Sequence, residues 1–255
     1  MVPYVDIPSI PLWGSVSLEP FGFLVLVACT VAYVVGRRHA EQIGLDRRSF
    51  NSLVLWVLIP AFLFSHWLAV VFYFPDHLPV LFRQPYRLSP MSSYGGFLGG
   101  ALGAMLFFWW RKLPRKWDYI DALTVGSVAG WFFARLGCTL AHDHPGVRSD
   151  FILAVQFPGG ARHDLGFYEW LFTIALCGIV FSIRNRSLPP GTIVGVVCVC
   201  YAPARFLLDF LRIDDVRYIG LTPAQYGSVA LFAFGCWVLA RYRVPHGSPS
   251  LRAPT

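Results

Sequence analysis

Seven apolar blocks divide the chain, at roughly residues 17–36, 51–73, 91–110, 119–141, 167–183, 191–211 and 222–240. Each approaches the ~20 residues that a helix needs to cross the hydrocarbon of a bilayer. The pattern predicts an all-α, polytopic membrane helix bundle of about seven transmembrane helices, forming one domain over residues 1–255. Between the fourth and fifth blocks, residues 140–166 are predicted to form a polar loop, and residues 244–255 a flexible tail. The opening MVPYVDIPSIPLW has no basic residue ahead of its apolar block, so the first block is expected to stay as a span and not leave as a signal peptide.

Composition strengthens this reading. The chain is 56% hydrophobic and only 14% charged, about half the charged share of soluble domains. Lys and Arg alternate in density between the blocks. Four follow the first block, four the third, two the fifth and three the seventh; the intervening segments hold only Arg83, Arg87, Arg148, Arg162, Arg212 and Arg217. Thirteen against six places the N-terminus outside and the C-terminus in the cytoplasm. The net charge of +7 is thus mainly topological, and its dispersal over short loops argues against a nucleic-acid partner. The six cysteines lie within or beside apolar blocks with no CxxC pair, so neither a disulfide framework nor a structural zinc site is expected.

Two arginines, Arg135 and Arg205, remain inside apolar blocks at similar depth. A charge there costs about 2.5–3.5 kcal/mol on insertion scales, and such residues usually mark a pathway or site. Two cations at one depth repel unless an anion separates them. Asp209, one helical turn past Arg205, is placed to neutralise one of them, and no acidic residue in the spans is placed to serve both. A lipid phosphate is the expected counterion, because the planar guanidinium bonds phosphate oxygens in pairs. Arg212 is expected to snorkel or to pair with Asp209 or Asp215.

The third block opens with MSSYGGFLGGALG. Gly95, Gly99 and Gly103 share one helix face, which suits close helix packing. The same glycines could leave backbone N–H groups open to a headgroup, with Tyr94 at the mouth of that cavity. Further on, HDHPG at 142–146 and ARHDLGFYEW at 161–170 concentrate His142, His144, His163, Asp143, Asp164 and Glu169. The residues alone leave three readings of this group open: metal ligands completed by His163 or an Asp, acid–base groups of a polar site, or a solvated loop.

The order of these motifs resembles the bacterial prolipoprotein diacylglyceryl transferases over nearly the whole chain. The resemblance rests on YGGFLGG at the third span and on ARLGC with Asp143 at the fourth. It continues with RHDLGFYE at the fifth, ARFLLDFLRIDD at the sixth and GLTPAQ at the seventh. It implies a seven-span inner-membrane enzyme that moves diacylglyceryl from phosphatidylglycerol to the lipobox cysteine of a prolipoprotein signal peptide, without cofactor or metal. The family's histidine before the paired glycines is Tyr94 here, its asparagine after the Arg motif is Cys138, and its glutamate is Asp143. An early tyrosine stands as Phe21, and an arginine of the second span as His66.

Residues and resemblance together make Tyr94, His142, Asp143, His163 and Arg205 the expected catalytic set. The expected phospholipid-binding set is Arg135, Arg205, Gly95, Gly96, Tyr168 and Glu169. Because a phenol is a poor base at neutral pH, the proton-accepting role is expected to have moved from position 94 to the HDH segment. Three other readings compete: a relative that only binds anionic lipid or modifies another acceptor, a metal-dependent enzyme built on His142, His144 and His163, and a transporter. The last is disfavoured by the lack of paired interrupted helices in matching halves.

Overall fold

A computed structural model describes residues 1–73, 78 and 91–241, except positions 6, 9, 14, 15 and 214. Arg83, Arg87 and the tail expected at 244–255 lie outside the described residues. Among the described residues the fold is a helix bundle with seven long helices: α1 (Pro20–Gln42), α2 (Arg47–Tyr73), α3 (Ser93–Arg111), α4 (Lys116–Ala141), α5 (Leu165–Ile183), α6 (Thr192–Leu208) and α7 (Pro223–Arg241). Six of them are long and apolar enough to cross a membrane, which makes this a multi-pass membrane protein. The exception is α3, where five glycines contribute no apolar side chain.

Local chemistry sets the helix ends. Pro20 opens α1, where its missing N–H costs nothing. Asp46 accepts a hydrogen bond from the Ser49 N–H at 2.8 Å and caps α2. Gly191 takes φ +90° ahead of α6, and buried Asp121 of α4 accepts from the Gly191 and Val194 N–H groups at 2.7 and 2.9 Å. The start of α6 is thereby tied to the first turns of α4. At α7, Thr222 and Gln225 form a reciprocal cap: Gln225 N donates to Thr222 Oγ1 at 3.1 Å, and Thr222 N donates to Gln225 Oε1 at 3.0 Å.

Glycine decides how closely the helices approach. A Cβ at Gly103 would sit 1.9 Å from the Trp56 carbonyl oxygen, and one at Gly99 2.2 Å from that of Pro60. Pro60 lies inside α2 and has no N–H to offer the Trp56 carbonyl four residues earlier, so that oxygen turns toward α3. In the α1–α4 pair, Gly126 and Gly130 lie as closely against the backbone at Ala32 and Ala28. Gly103→Ala must push α2 and α3 apart and is expected to destabilise the protein by about 1–3 kcal/mol. Thermal unfolding in lipid nanodiscs measures this, with Gly22→Ala, where a Cβ meets nothing within 4 Å, as the silent control.

The region predicted as a polar loop folds as a sheet. Strands β1 (Val2–Pro3), β5 (Val155–Phe157), β6 (Gly160–Asp164) and β4 (Pro145–Arg148) pair in that order, β1 parallel to β5 and the others antiparallel. A separate hairpin joins β2 (Ile10–Trp13) to β3 (Val16–Leu18). The four-stranded sheet covers the end of the bundle where α4 stops and α5 begins. Gly146 of β4 also bridges Arg212 just past α6, which closes that end around the polar residues.

Candidate functional site

Beneath this sheet lies a cavity of about 680 Å³, walled by α1, α2, α3, α4, α6, α7 and the segments after α4 and α6. Arg135 and Arg205 both line it and are both 5% exposed. They converge, and where a lipid phosphate is expected between them a carboxylate of the protein stands. Arg135 Nη2 meets Glu169 Oε2 at 2.5 Å, and Arg205 Nη1 meets Glu169 Oε1 at 2.7 Å. The expectation that no acidic residue could serve both cations is therefore corrected. Helix α5 starts at Leu165, two residues earlier than its apolar block, so Glu169 lies more than a turn inside and points at the bundle axis, 1% exposed.

The network continues along the end of α6. Arg205 Nη2 reaches Asp209 Oδ1 at 3.1 Å; Arg212 Nε lies 3.3 Å from the same oxygen and 3.5 Å from Asp215 Oδ2. The capped Thr222 donates its hydroxyl proton to Asp209 Oδ2. The GLTPAQ motif thus orients a donor onto the carboxylate that aims two arginines. Three guanidinium groups face three carboxylates, so the cluster balances its own charge. The Nε groups of Arg135 and Arg205 have no acceptor among the described residues, which leaves donor capacity at the cavity.

Chain geometry sorts the HDH segment. His142 ends α4 in a left-handed conformation, φ +49°, and the turn separates its side chain from the next two. His142 Nδ1 lies 2.6 Å from Asp164 Oδ2, Val5 N donates to its Nε2 at 3.4 Å, and Tyr4 stacks on the ring at 4.2 Å. Since Nε2 accepts, Nδ1 is the donor, and this imidazole is used up in joining the sheet to α4. His163 bonds Tyr168 Oη at 2.7 Å, and neither lines the cavity. Asp143 and His144 do line it, beside Cys138.

The charges around these two set their protonation. Burial pushes the Asp143 carboxyl up to about 6, while Arg135 pulls the other way. Burial, then the positive charges of Arg212 and Arg135, push His144 down to about 3. His144 is therefore neutral; its Nδ1 lies 2.9 Å from the Asp143 carbonyl, so Nδ1 carries the hydrogen and Nε2 is left as an acceptor. Ligand atoms of Cys138, Asp143 and His144 fall within 4.8 Å of one another, close enough for a metal ion. Arg135 Nη1, however, is 3.8 Å from Cys138 Sγ, and that adjacent positive charge opposes a divalent cation.

Tyr94 also lines the cavity, with its hydroxyl 2.5 Å from Ser228 Oγ. Ser228 donates its single proton to the Ala224 carbonyl at 2.9 Å, so Tyr94 must be the donor in the short contact. Gly227 allows this, since a Cβ there would strike the Tyr94 ring at 2.3 Å. Gly96 contributes to the cavity wall, whereas Gly95 packs on the Phe64 carbonyl. Their N–H groups are not open to a ligand, because Gly95 N meets Ser92 Oγ and Gly96 N meets the Ser92 carbonyl. Ser65 and Trp131 of the cavity wall, and Ser228 behind Tyr94, carry no mark in their local sequence that separates them from other helix residues.

The sequence model of the prolipoprotein diacylglyceryl transferases matches residues 9–241, a range that includes every arginine and carboxylate of this network. The chain belongs to that family. A phosphatidylglycerol–prolipoprotein diacylglyceryl transferase of Solidesulfovibrio magneticus is 29% identical to it, over 93% of this chain and 94% of the relative. Enzymes of the same name from Nitratidesulfovibrio vulgaris and Idiomarina loihiensis are 26% and 24% identical, covering 98% and 94% of this chain and the same shares of their own. Within this diacylglyceryl transferase family member, Phe21 and Cys138 both form part of the cavity wall, while His66 is buried in α2.

Proposed function

We propose that this chain transfers the diacylglyceryl group of phosphatidylglycerol to the lipobox cysteine thiol of a prolipoprotein, in the outer half of a bacterial inner membrane. The observation that carries the reading is the convergence of Arg135 and Arg205 through Glu169 onto one cavity wall, beside Asp143 and His144. The guanidinium groups hold the phosphodiester with their remaining N–H donors, and Glu169 is the positioning residue behind them. The thiol sulfur attacks the glyceryl carbon that bears the phosphate ester. As the S–C bond forms the C–O bond breaks, and glycerol phosphate leaves with the charge that the arginines stabilise. The thiol proton goes to Asp143, whose raised carboxyl suits a base near neutral pH. Tyr94 is not that base; its oxygen and His144 Nε2 accept hydrogen bonds from the glycerol hydroxyls. The alternation of basic loops supports an N-terminus outside and the sheet on the extracytoplasmic side.

The test is thioether lipidation of a lipobox peptide by the purified chain in phosphatidylglycerol liposomes, followed across pH. Asp143 must be ionised to act, and its folded value lies above the usual carboxylate range. The rate is therefore expected to rise with pH through about 6 and to stand near a tenth of its plateau at about pH 5. Asp143→Asn should lose both the rate and the inflection, and Asp143→Glu should keep part of each. Phosphatidylglycerol binding with no lipidated peptide at any pH would select the lipid-binding reading instead.

A further inference from the structure

The opposite end of the bundle carries a second polar cavity, of about 470 Å³, between the last turn of α1 and the residues that follow α5. Its walls are His39, Gln42, Arg184, Asn185, Arg186 and Ser187, with Ile43. None of these is acidic. Glu41, the nearest carboxylate in sequence, is already engaged by Arg37 at 3.0 Å and Arg47 at 3.7 Å. Arg184 stands fifteen residues after Glu169 on one continuous helix, which separates this cavity from the reaction site by about 22 Å.

Among the described residues two buried nitrogens here lack a partner, and the one on Arg184 is a fixed donor. His39 is 2% exposed; its ring bonds the Gln42 side chain, and its Nδ1 has no hydrogen-bond partner among the described residues. Arg184 Nε is buried and equally unpartnered, while its guanidinium is held 4.4 Å from the centre of the Phe181 ring. A bland role for Arg184 would be to neutralise the carbonyl ends of α1 and α5, which carry partial negative charge. In that role its side chain should donate to those carbonyls, and it forms neither a hydrogen bond nor an ion pair among the described residues. Leaving a buried charged donor unmade costs more than a typical hydrogen bond contributes, so the arrangement calls for an external acceptor.

We propose that His39, Arg184 and Arg186 form an anion site for a phosphate group, distinct from the catalytic cavity and independent of the reaction assigned to it. Two guanidinium groups suit a tetrahedral, multiply accepting oxyanion, and Gln42, Asn185 and Ser187 add neutral donors around it, while buried His39 closes the wall. Because the cavity sits where two apolar helices end, the phosphate comes either from the headgroup of an anionic lipid in the adjacent leaflet or from soluble phosphate. Bound there, it would pin the end of α1 to the end of α5. These two helices flank α4, which carries Arg135.

The full chain in phosphatidylcholine nanodiscs separates the two sources. Inorganic phosphate is titrated while thermal unfolding is followed, and in parallel native mass spectrometry counts phosphatidic acid retained from mixed discs. If the source is soluble, phosphate raises the unfolding temperature of the wild type, and half-saturation shifts upward at least about tenfold in Arg184→Gln but not in Arg148→Gln, an exposed arginine at the other end of the bundle. If the source is lipid, phosphate has no such effect, and Arg184→Gln retains one phosphatidic acid fewer than wild type. Either outcome supports the site. Arg186→Gln, at an exposed position, should move the same readout and decides the matter if Arg184→Gln does not fold. Both measurements unchanged in the folded variants would overturn the proposal.

Discussion

Glu169→Gln is expected to abolish transfer and to lower stability by about 3–5 kcal/mol, the scale for removing one partner of a buried ion pair. Glu169 is the carboxylate shared by Arg135 and Arg205, and all three residues are at most 5% exposed. Without its charge Arg205 keeps Asp209, but Arg135 has no other carboxylate among the described ion pairs. A glutamine can accept one of the two hydrogen bonds and must present an N–H to the other guanidinium. Denaturant unfolding in micelles and the lipidation rate measure the two consequences separately. Glu169→Asp keeps the charge on a shorter stem and should fall between. A glutamine variant that matched the wild type in both would mean that the arginines do not depend on this carboxylate.

The second large effect is on the arginines themselves. Arg205→Lys and Arg135→Lys are each expected to reduce kcat by about 10²–10³-fold, the scale for removing one preorganised donor to a developing anion. Arg205 uses its fork in two directions, Nη1 to Glu169 and Nη2 to Asp209, while its Nε remains available to a ligand. An ammonium group is a single point and cannot hold two carboxylates and a phosphate oxygen at once. The loss should fall on kcat more than on KM for phosphatidylglycerol, since charge on the leaving phosphate grows in the transition state. Retained kcat in both lysine variants would rule out the phosphate clamp.

The two sets of residues differ in how far they could be read from the sequence. Arg135 and Arg205 stand out because a charge in an apolar block is costly wherever it points. Arg205 and Asp209 are one helical turn apart, and Arg212 and Asp215 three positions apart in the segment after α6, so both pairs are suggested by spacing. Glu169 has no such marker. It contacts arginines 34 and 36 positions away, on two other helices, so its role depends on the rotation of α5 about its own axis. In the HDH segment, likewise, composition offers three equivalent candidates. A left-handed residue at His142 sends one side chain to Asp164 and the next two to the cavity.

The sheet shows the same limit. Strands of two to five residues leave too short an alternation to recognise, and β1 reaches its partner Val155 from Val2, at the far end of four helices. By itself the sequence determined the helical class, the number of long helices, the family and the two misplaced cations, because hydropathy, charge cost and motif order are properties of neighbouring residues. Only the tertiary structure decided which carboxylate joins those cations, which histidine faces the cavity, and that the polar loop becomes a lid of strands. Those outcomes depend on the relative rotation and closeness of separate helices, which backbone contact at Gly103, Gly126 and Gly130 sets and no local pattern encodes.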